Sequence, residues 1–267
     1  MLIIGENINA TIPRVREAIL NRDEDFIKEL ALRQEEAGTG LIDINTGTGE
    51  GTAEDERESM RWAVRIVADT VKTGLCIDSD NPVVLEAGIE AAGDQAGMIN
   101  STKGSEKSLD AIMPLAAATG LPLIGLAMDG GGIPKTAQER VDITGSIIAA
   151  AAAHRVPEEK IYIDPLVMPV STDITQGNVT LETAALIKQK YPNVKCVLAV
   201  SNVSFGLPKR AYVNSALISM AAHLGIDAIL INPLHKPLRA AAIASATLLG
   251  RDRHCRKYTR AARKETI

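Results

Sequence analysis

A chain of 267 residues with a formal net charge of −4 is too long for most small folds, and its size suits one domain. Apolar residues make up 46% of it and aromatics only 3%, so Val, Ile, Leu and Ala must do the packing. No apolar run approaches the roughly 20 residues that cross a bilayer, and the N-terminus enters a strand pattern without a basic segment and cleavage site; the expectation is a soluble, cytoplasmic protein with neither a membrane nor a nucleic acid as partner.

In chain order, the first strand pattern is LIIGENI from Leu2. A helix is expected after Pro13, and EDFIKELALRQEEAG from Glu24 continues that layer, with Gly38 placed to stop it. LIDINTG from Leu41 is the second strand. The acidic TAEDERES after it suits a helix N-terminal turn, and that helix runs through Trp62 toward Val71. LCIDSD from Leu75 is the third; NPVVLEAGIEAA then starts a helix with Asn81 as cap and Pro82 at its first position. GMINST from Gly97 leads into SEKSLDAIMPLAAATG, a helix that Pro114 should kink. PLIGLAM from Pro122 runs into DGGGIPK, Asp129 to Lys135, ahead of a long helix from about Thr136 to His154. Three consecutive glycines do not serve regular structure: they make either a mobile loop above the active face or a plain flexible connection. IYIDPL from Ile161 precedes PVSTDITQGNVTLET, expected as an extended polar loop. CVLAVSN from Cys196 leads into SNVSFGLPKR, Ser201 to Arg210, then a helix from about Ala211 to Leu224. AILINP from Ala228 is the eighth run.

Eight strand patterns alternating with helix-length stretches read as an α/β chain folded into a (β/α)8 TIM barrel over residues 1–250. In such barrels the C-terminal strand ends and the loops after them form the active face. The run ends supply Glu6, Asn7 and Asn9, then Asp43 and Asn45, then Asp78, Asn100, Met128, Asp164, Ser201, Asn202 and Asn232, mostly carboxylates and carboxamides.

Cys76 and Cys196 fall inside strands and Cys255 in the tail, an odd count without close spacing that argues against a disulfide framework and a zinc site. The four histidines, His154, His223, His235 and His254, form no ligand-like pairs, and no protein-held metal is expected; His235, just past the eighth strand, reads as surface or loop filler first and as a residue facing the site second. Charge is uneven. Seven of the 29 basic residues, Arg251, Arg253, Arg256, Lys257, Arg260, Arg263 and Lys264, crowd a tail over 251–267, which is either a solvated terminal helix or a dock for an acidic partner or subunit.

A cup lined by Asp78, Asn100, Asp164 and Asn202 offers acceptors from the aspartates and both donors and acceptors from the asparagines. That set fits a flat, nitrogen-rich heterocycle. A sugar phosphate would ask for a backbone-amide nest with basic groups, and a glycoside for paired carboxylates at a defined separation. Any one of these residues could instead cap a helix or close a turn; four on different strands at equivalent positions carry the signal.

LIIGENIN at the start, DINTG at Asp43, CIDSDN at Cys76, MINST at Met98, YIDPL at Tyr162 and SNVSFG at Ser201 resemble, over residues 1–250, the pterin-binding methyltransferases that act on methyltetrahydrofolate and a corrinoid, relatives of the folate domain of cobalamin-dependent methionine synthase. The resemblance implies that Asp78, Asn100 and Asp164 hydrogen-bond the pterin ring. It also implies that Asn202 lies near N5, the methyl-bearing nitrogen, with Ser201, Phe205 and Arg210 beside the pterin on the loop after the seventh strand. It further implies tetrahydrofolate or 5-methyltetrahydrofolate as substrate, a corrinoid supplied by a partner protein docked over the barrel mouth, and a homodimer built through outer-ring helices. Two positions depart from the family pattern: Ala199 stands where a glycine is usual, which could narrow the floor of the cup, and Asn7 replaces an arginine, which should change the charge near the mouth.

The function expected is methyl transfer between N5 of tetrahydrofolate and the cobalt of a partner corrinoid protein, in either direction. Dihydropteroate synthase is an alternative, although its Ser-Arg-Lys run near the seventh strand is missing. A catalytically idle folate-binding subunit is another, predicting tight binding without turnover.

Overall fold

The computed structural model describes residues 1–264 and 267; Glu265 and Thr266, the last part of the expected basic tail, lie outside the described residues. Eight parallel strands pair in sequence order and close into a barrel: β1 (Leu2–Asn9), β2 (Leu41–Asn45), β3 (Gly74–Asp78), β4 (Ala96–Lys103), β5 (Leu123–Leu126), β6 (Ile161–Asp164), β7 (Lys195–Ala199) and β8 (Ala228–Ile231). The outer ring comprises α1 (Pro13–Leu20), α2 (Glu24–Glu36), α3 (Ala53–Thr70), α4 (Pro82–Ala92), α5 (Glu106–Thr119), α6 (Ala137–Ala153), α7 (Gln176–Lys190), α8 (Arg210–His223) and α9 (Lys236–Leu248), with α10 (Arg256–Arg263) following. Among the described residues, no helix is long and apolar enough to cross a membrane.

Local chemistry sets the helix starts. Thr52 and Thr136 each form a reciprocal capping box, with Asp55 and Glu139, at the heads of α3 and α6. Asn81 caps α4 with Pro82 in its first turn, as its sequence predicts. Pro114 sits inside α5, which runs unbroken from Glu106 to Thr119. The polar segment after β6 differs from expectation: α7 already begins at Gln176, so QGNVTLET is helix and only residues 165–175 are loop. Its buried Gln176, Thr180 and Thr183 recur at helical spacing, a stripe that polar composition disguises.

Alternation along the strands positions the site. Successive strand side chains point to opposite faces, and the inward set divides into two levels. Ile4, Cys76, Met98, Ile124, Tyr162, Val197 and Ala228 form a buried cluster that plugs the barrel interior. Two residues further along several of the same strands come Glu6, Asp78, Asn100, Asp164, Ala199 and Leu230, the next inward positions, which line a cavity above the plug. A one-residue shift would turn each of these polar ends into the helix layer. A second, larger core of Ile, Val, Leu and Ala lies between the sheet and the helices.

The helix α9 descends from the end of β8, so 13 residues at about 1.5 Å each carry the chain to the N-terminal end of the barrel. Asp252 then accepts hydrogen bonds from the backbone of Lys257 and Tyr258 and from Thr247, tying α10 back to α9. The basic helix thus lies at the end of the barrel remote from the cavity.

Candidate active site

A cavity of about 770 Å³ opens at the C-terminal end of the barrel, within the size range that holds a small organic ligand. Its floor is apolar, made by Ile124, Val197, Leu230 and Ala199, and its wall carries Asp78, Asn100 and Asp164. Register brings these three together: Asp78 is the direct neighbour of Asn100 across β3 and β4, and Asp164 pairs with Leu126 across β5 and β6.

Hydrogen bonds behind the wall fix the polarity of each group. The Asn100 amide donates to Asp43 Oδ1 at 3.1 Å, which leaves Asn100 Oδ1 as an acceptor. Asn45 receives the Gly47 N–H on its oxygen and donates its amide to Asp78 Oδ2 at 3.0 Å, which leaves Asp78 Oδ1. Asp164 Oδ1 accepts the Leu166 N–H at 2.8 Å, which leaves Oδ2. Three acceptor oxygens on three strands therefore stand over an apolar floor.

Burial pushes the Asp78 and Asp164 carboxyls up to about 6; hydrogen bonds from Asn45 and Asp43 hold Asp78 down, and the Leu166 N–H and the Arg140 charge hold Asp164 down. Asp43, 1% exposed, is raised well above the carboxylate range by burial and then by the neighbouring Asp78. Among the described residues its Oδ2 has no hydrogen-bond partner, and two neighbouring buried carboxyls resist ionising together. Burial also raises Glu6, against the Ser201 hydrogen bond and the Arg210 charge.

The segment after β7 is a 3-10 turn, Val200–Ser204. Asn202 lies there, three residues past the inward-facing Ala199 and on the rim of the cavity rather than at a strand position equivalent to the other three. Its carbonyl accepts the Phe205 N–H, whereas its side-chain amide makes no hydrogen bond to the described residues and is free to rotate. Ser201 Oγ donates to Glu6 Oε1 at 2.5 Å. Arg210 donates from Nε to Ser204 Oγ at 2.9 Å and from Nη2 to the Ser201 carbonyl; it braces the turn and still borders the cavity. Phe205 is 65% exposed, with the Arg210 guanidinium 5.9 Å from its ring centre, and lies outside the cavity wall.

Two expectations are corrected. Asn7 faces away from the mouth: it is buried, absent from the cavity wall, and its backbone N–H donates to Gln34 Oε1, because Glu6 and not Asn7 holds the inward phase of β1. His235 borders the cavity instead of filling a remote loop. Sequence reasoning also passed over Asn214, whose buried Oδ1 has no hydrogen-bond partner among the described residues. Its signal was available, since it follows Arg210 by four residues on the same face of α8.

Residues 5–232 match the model of a family described as pterin binding enzyme. The methylcorrinoid:tetrahydrofolate methyltransferase of Eubacterium limosum is 36% identical over 270 residues, covering 100% of this chain and 98% of that protein. Methionine synthase of Mycobacterium tuberculosis is 28% identical over 245 residues, a match that spans 87% of this chain and 20% of that much longer protein. Among solved structures, the 7,8-dihydropteroate synthase of Vibrio fischeri ES114 superposes with a TM-score of 0.72 at 19% identity, covering 93% of each chain, which shows a common fold.

Proposed function

The chain belongs to the pterin binding enzyme family, and we propose that it moves a methyl group from a methylcorrinoid, carried by a separate protein, to N5 of tetrahydrofolate. The observation that carries this reading is the set of three unsatisfied acceptors, Asp78 Oδ1, Asn100 Oδ1 and Asp164 Oδ2, above an apolar floor. A reduced pterin presents an amino group and ring N–H groups along one edge and flat faces above and below. The direction follows the activity for which the E. limosum relative is named.

The chemistry asks little of the protein beyond placement. N5 attacks the methyl carbon, the new N–CH3 bond forms, and the electron pair of the broken carbon–metal bond leaves with the corrinoid. Positive charge builds on N5, whose hydrogen becomes acidic and leaves to solvent at the cavity mouth. The Asn202 amide turns its oxygen to accept that N5–H and can turn its nitrogen to donate once N5 is neutral. The acceptors on β3, β4 and β6 hold the ring so that N5 points out of the cup, where alignment with the incoming methyl supplies much of the rate. Among the described residues, Arg210 is the one arginine or lysine on the cavity wall, a poor setting for the diphosphate leaving group of a dihydropteroate synthase, which calls for several positive groups. The corrinoid protein docks over the mouth, clear of the basic tail at the other end. We further propose a cytoplasmic homodimer joined through outer-ring helices, with residues 1–250 as the barrel and 251–267 as an appended basic segment.

Substituting Asn202 tests the reading. Asn202→Ala should lower methyl transfer by about 10²-fold or more while tetrahydrofolate affinity falls by less than about tenfold. Equal, small effects on both would remove Asn202 from the reaction.

A further inference from the structure

Arg140 lies on α6, does not border the cavity, and has no solvent exposure. It follows Ala137 and precedes Val141, Thr144, Ile147, Ile148 and Ala151 on the buried face of its helix, a charge in the middle of an inward stripe. A buried cation is costly unless its surroundings justify it, and among the described residues no carboxylate forms an ion pair with it. Its partners are instead the backbone and an amide: Nε donates to the Pro134 carbonyl at 3.1 Å, Nη1 to the carbonyls of Pro165 at 2.9 Å and Leu166 at 2.8 Å, and Nη2 to Gln176 Oε1 at 2.7 Å.

We propose that Arg140 is a positioning residue for Asp164: its fork fixes the Pro165–Leu166 turn so that the Leu166 N–H meets one carboxylate oxygen, and its charge keeps Asp164 ionised with the other oxygen open to a pterin N–H. The inference rests on the reading that Asp164 holds the pterin. Its geometry is independent of that reading. Leu166 adopts φ +66°, a left-handed conformation that a leucine does not take without outside support. The turn is held from two sides, because Thr180 Oγ also donates to the Leu166 carbonyl at 2.8 Å. The strained residue thereby directs its N–H to Asp164 Oδ1 at 2.8 Å.

The charges around Asp164 are few. Arg140 approaches from α6, and its charge opposes the burial that otherwise favours the neutral acid. From β7 comes the buried Cys196 thiol, which feels the Asp164 charge. From α7 comes Gln176, which is neutral, and β5 presents Leu126 as the register partner. Glu6, Asp43 and Asp78 share the same cavity wall. Glu139, beside Arg140 in sequence, caps the head of α6 and adds to the field at Arg140. Among the described residues, Arg140 is therefore the cation whose charge opposes the burial of this carboxylate.

The test measures tetrahydrofolate affinity by anaerobic calorimetry from pH 5 to 8.5 for wild type, Arg140→Met, Arg140→Lys, Thr180→Val and Asp164→Asn, with circular dichroism to establish folding. Wild-type affinity should fall as pH drops through about 6. Arg140→Met should move that fall upward by about one pH unit, hence lose about tenfold at pH 5 but only about twofold at pH 7. Arg140→Lys keeps the charge but cannot bridge both carbonyls, so affinity should drop at every pH with the fall in place. Thr180→Val should weaken binding uniformly without moving the fall. In the Asp164→Asn background, Arg140→Met should leave the remaining fall, that of Asp78, where it was. A folded Arg140→Met protein with an unmoved fall overturns the proposal, as does an Arg140→Lys protein that binds like wild type if the methionine variant does not fold. Wild-type binding by Asp164→Asn would instead overturn the role of Asp164 itself.

Discussion

Asp164 should be a residue that the protein keeps at the expense of its own stability, and Asp164→Asn exposes the trade. The carboxyl ordinarily titrates near 3.8 and is pushed up to about 6 by burial, a value that already contains the help of Arg140 and Leu166. A carboxyl raised on folding favours the folded state fully only below its unfolded value, and that contribution is lost as pH rises through the folded value. Holding Asp164 ionised at pH 8 therefore costs about 3 kcal/mol, from a displacement of about two units at 1.36 kcal/mol each. Asparagine keeps an oxygen for the Leu166 N–H and carries no charge. The variant should thus be more stable than wild type by about 3 kcal/mol at pH 8 and by about half as much at pH 5, where much of the cost has already gone. Urea unfolding at the two pH values reads this directly through the midpoint, and tetrahydrofolate affinity of the same variant should fall. A variant destabilised equally at both pH values would refute the reasoning, since Asp164 would then be a structural group satisfied in its charged form.

Asp43→Leu should free the Asn100 amide, whose donor it now binds at 3.1 Å, and lower folate affinity by roughly tenfold or more through misorientation; calorimetry on the folded variant checks it, and unchanged affinity would show that Asn100 needs no anchor. Ser201→Ala removes the hydrogen bond that opposes the burial of Glu6, so Glu6 should titrate at still higher pH, observable by carboxyl-selective infrared difference spectra. Gly88→Ala places a methyl group 2.5 Å from Ile77 Cγ2 and 3.0 Å from Met60 Cγ; overpacking of α4 against β3 should cost about 1–3 kcal/mol in urea unfolding, with folate affinity per folded molecule retained.

Sequence carried the barrel well because its signal is repeated. Each short run of Ile, Val and Leu ends where the chain emerges from the plug, and the period of two puts Asp78, Asn100 and Asp164 on the inward face once any one of them is placed there. Asn202 was found by its motif, yet the equivalence assumed for it fails, since strand β7 ends at Ala199 and the chain coils before reaching it. Asn7 illustrates the same parity: only the phase of β1 separates it from Glu6, and phase cannot be read from a run that is apolar on both faces. What stayed hidden was the layer behind the cup. Asp43 orients Asn100 and Arg140 braces Leu166 through contacts between residues 57 and 26 positions apart, and no local spacing announces them. Arg140 did leave a trace, a charge on the apolar stripe of α6, which is a signal for a buried functional cation in other chains as well.

The most direct measurement is an anaerobic spectrophotometric assay of the purified protein with tetrahydrofolate and a methylcorrinoid, offered both free as methylcobalamin and bound to a corrinoid protein. The account predicts loss of the methylcorrinoid absorbance matched mole for mole by 5-methyltetrahydrofolate, and loss of that turnover in Asn202→Ala. A wild-type protein that binds tetrahydrofolate but leaves both forms of the methylcorrinoid unchanged would contradict it.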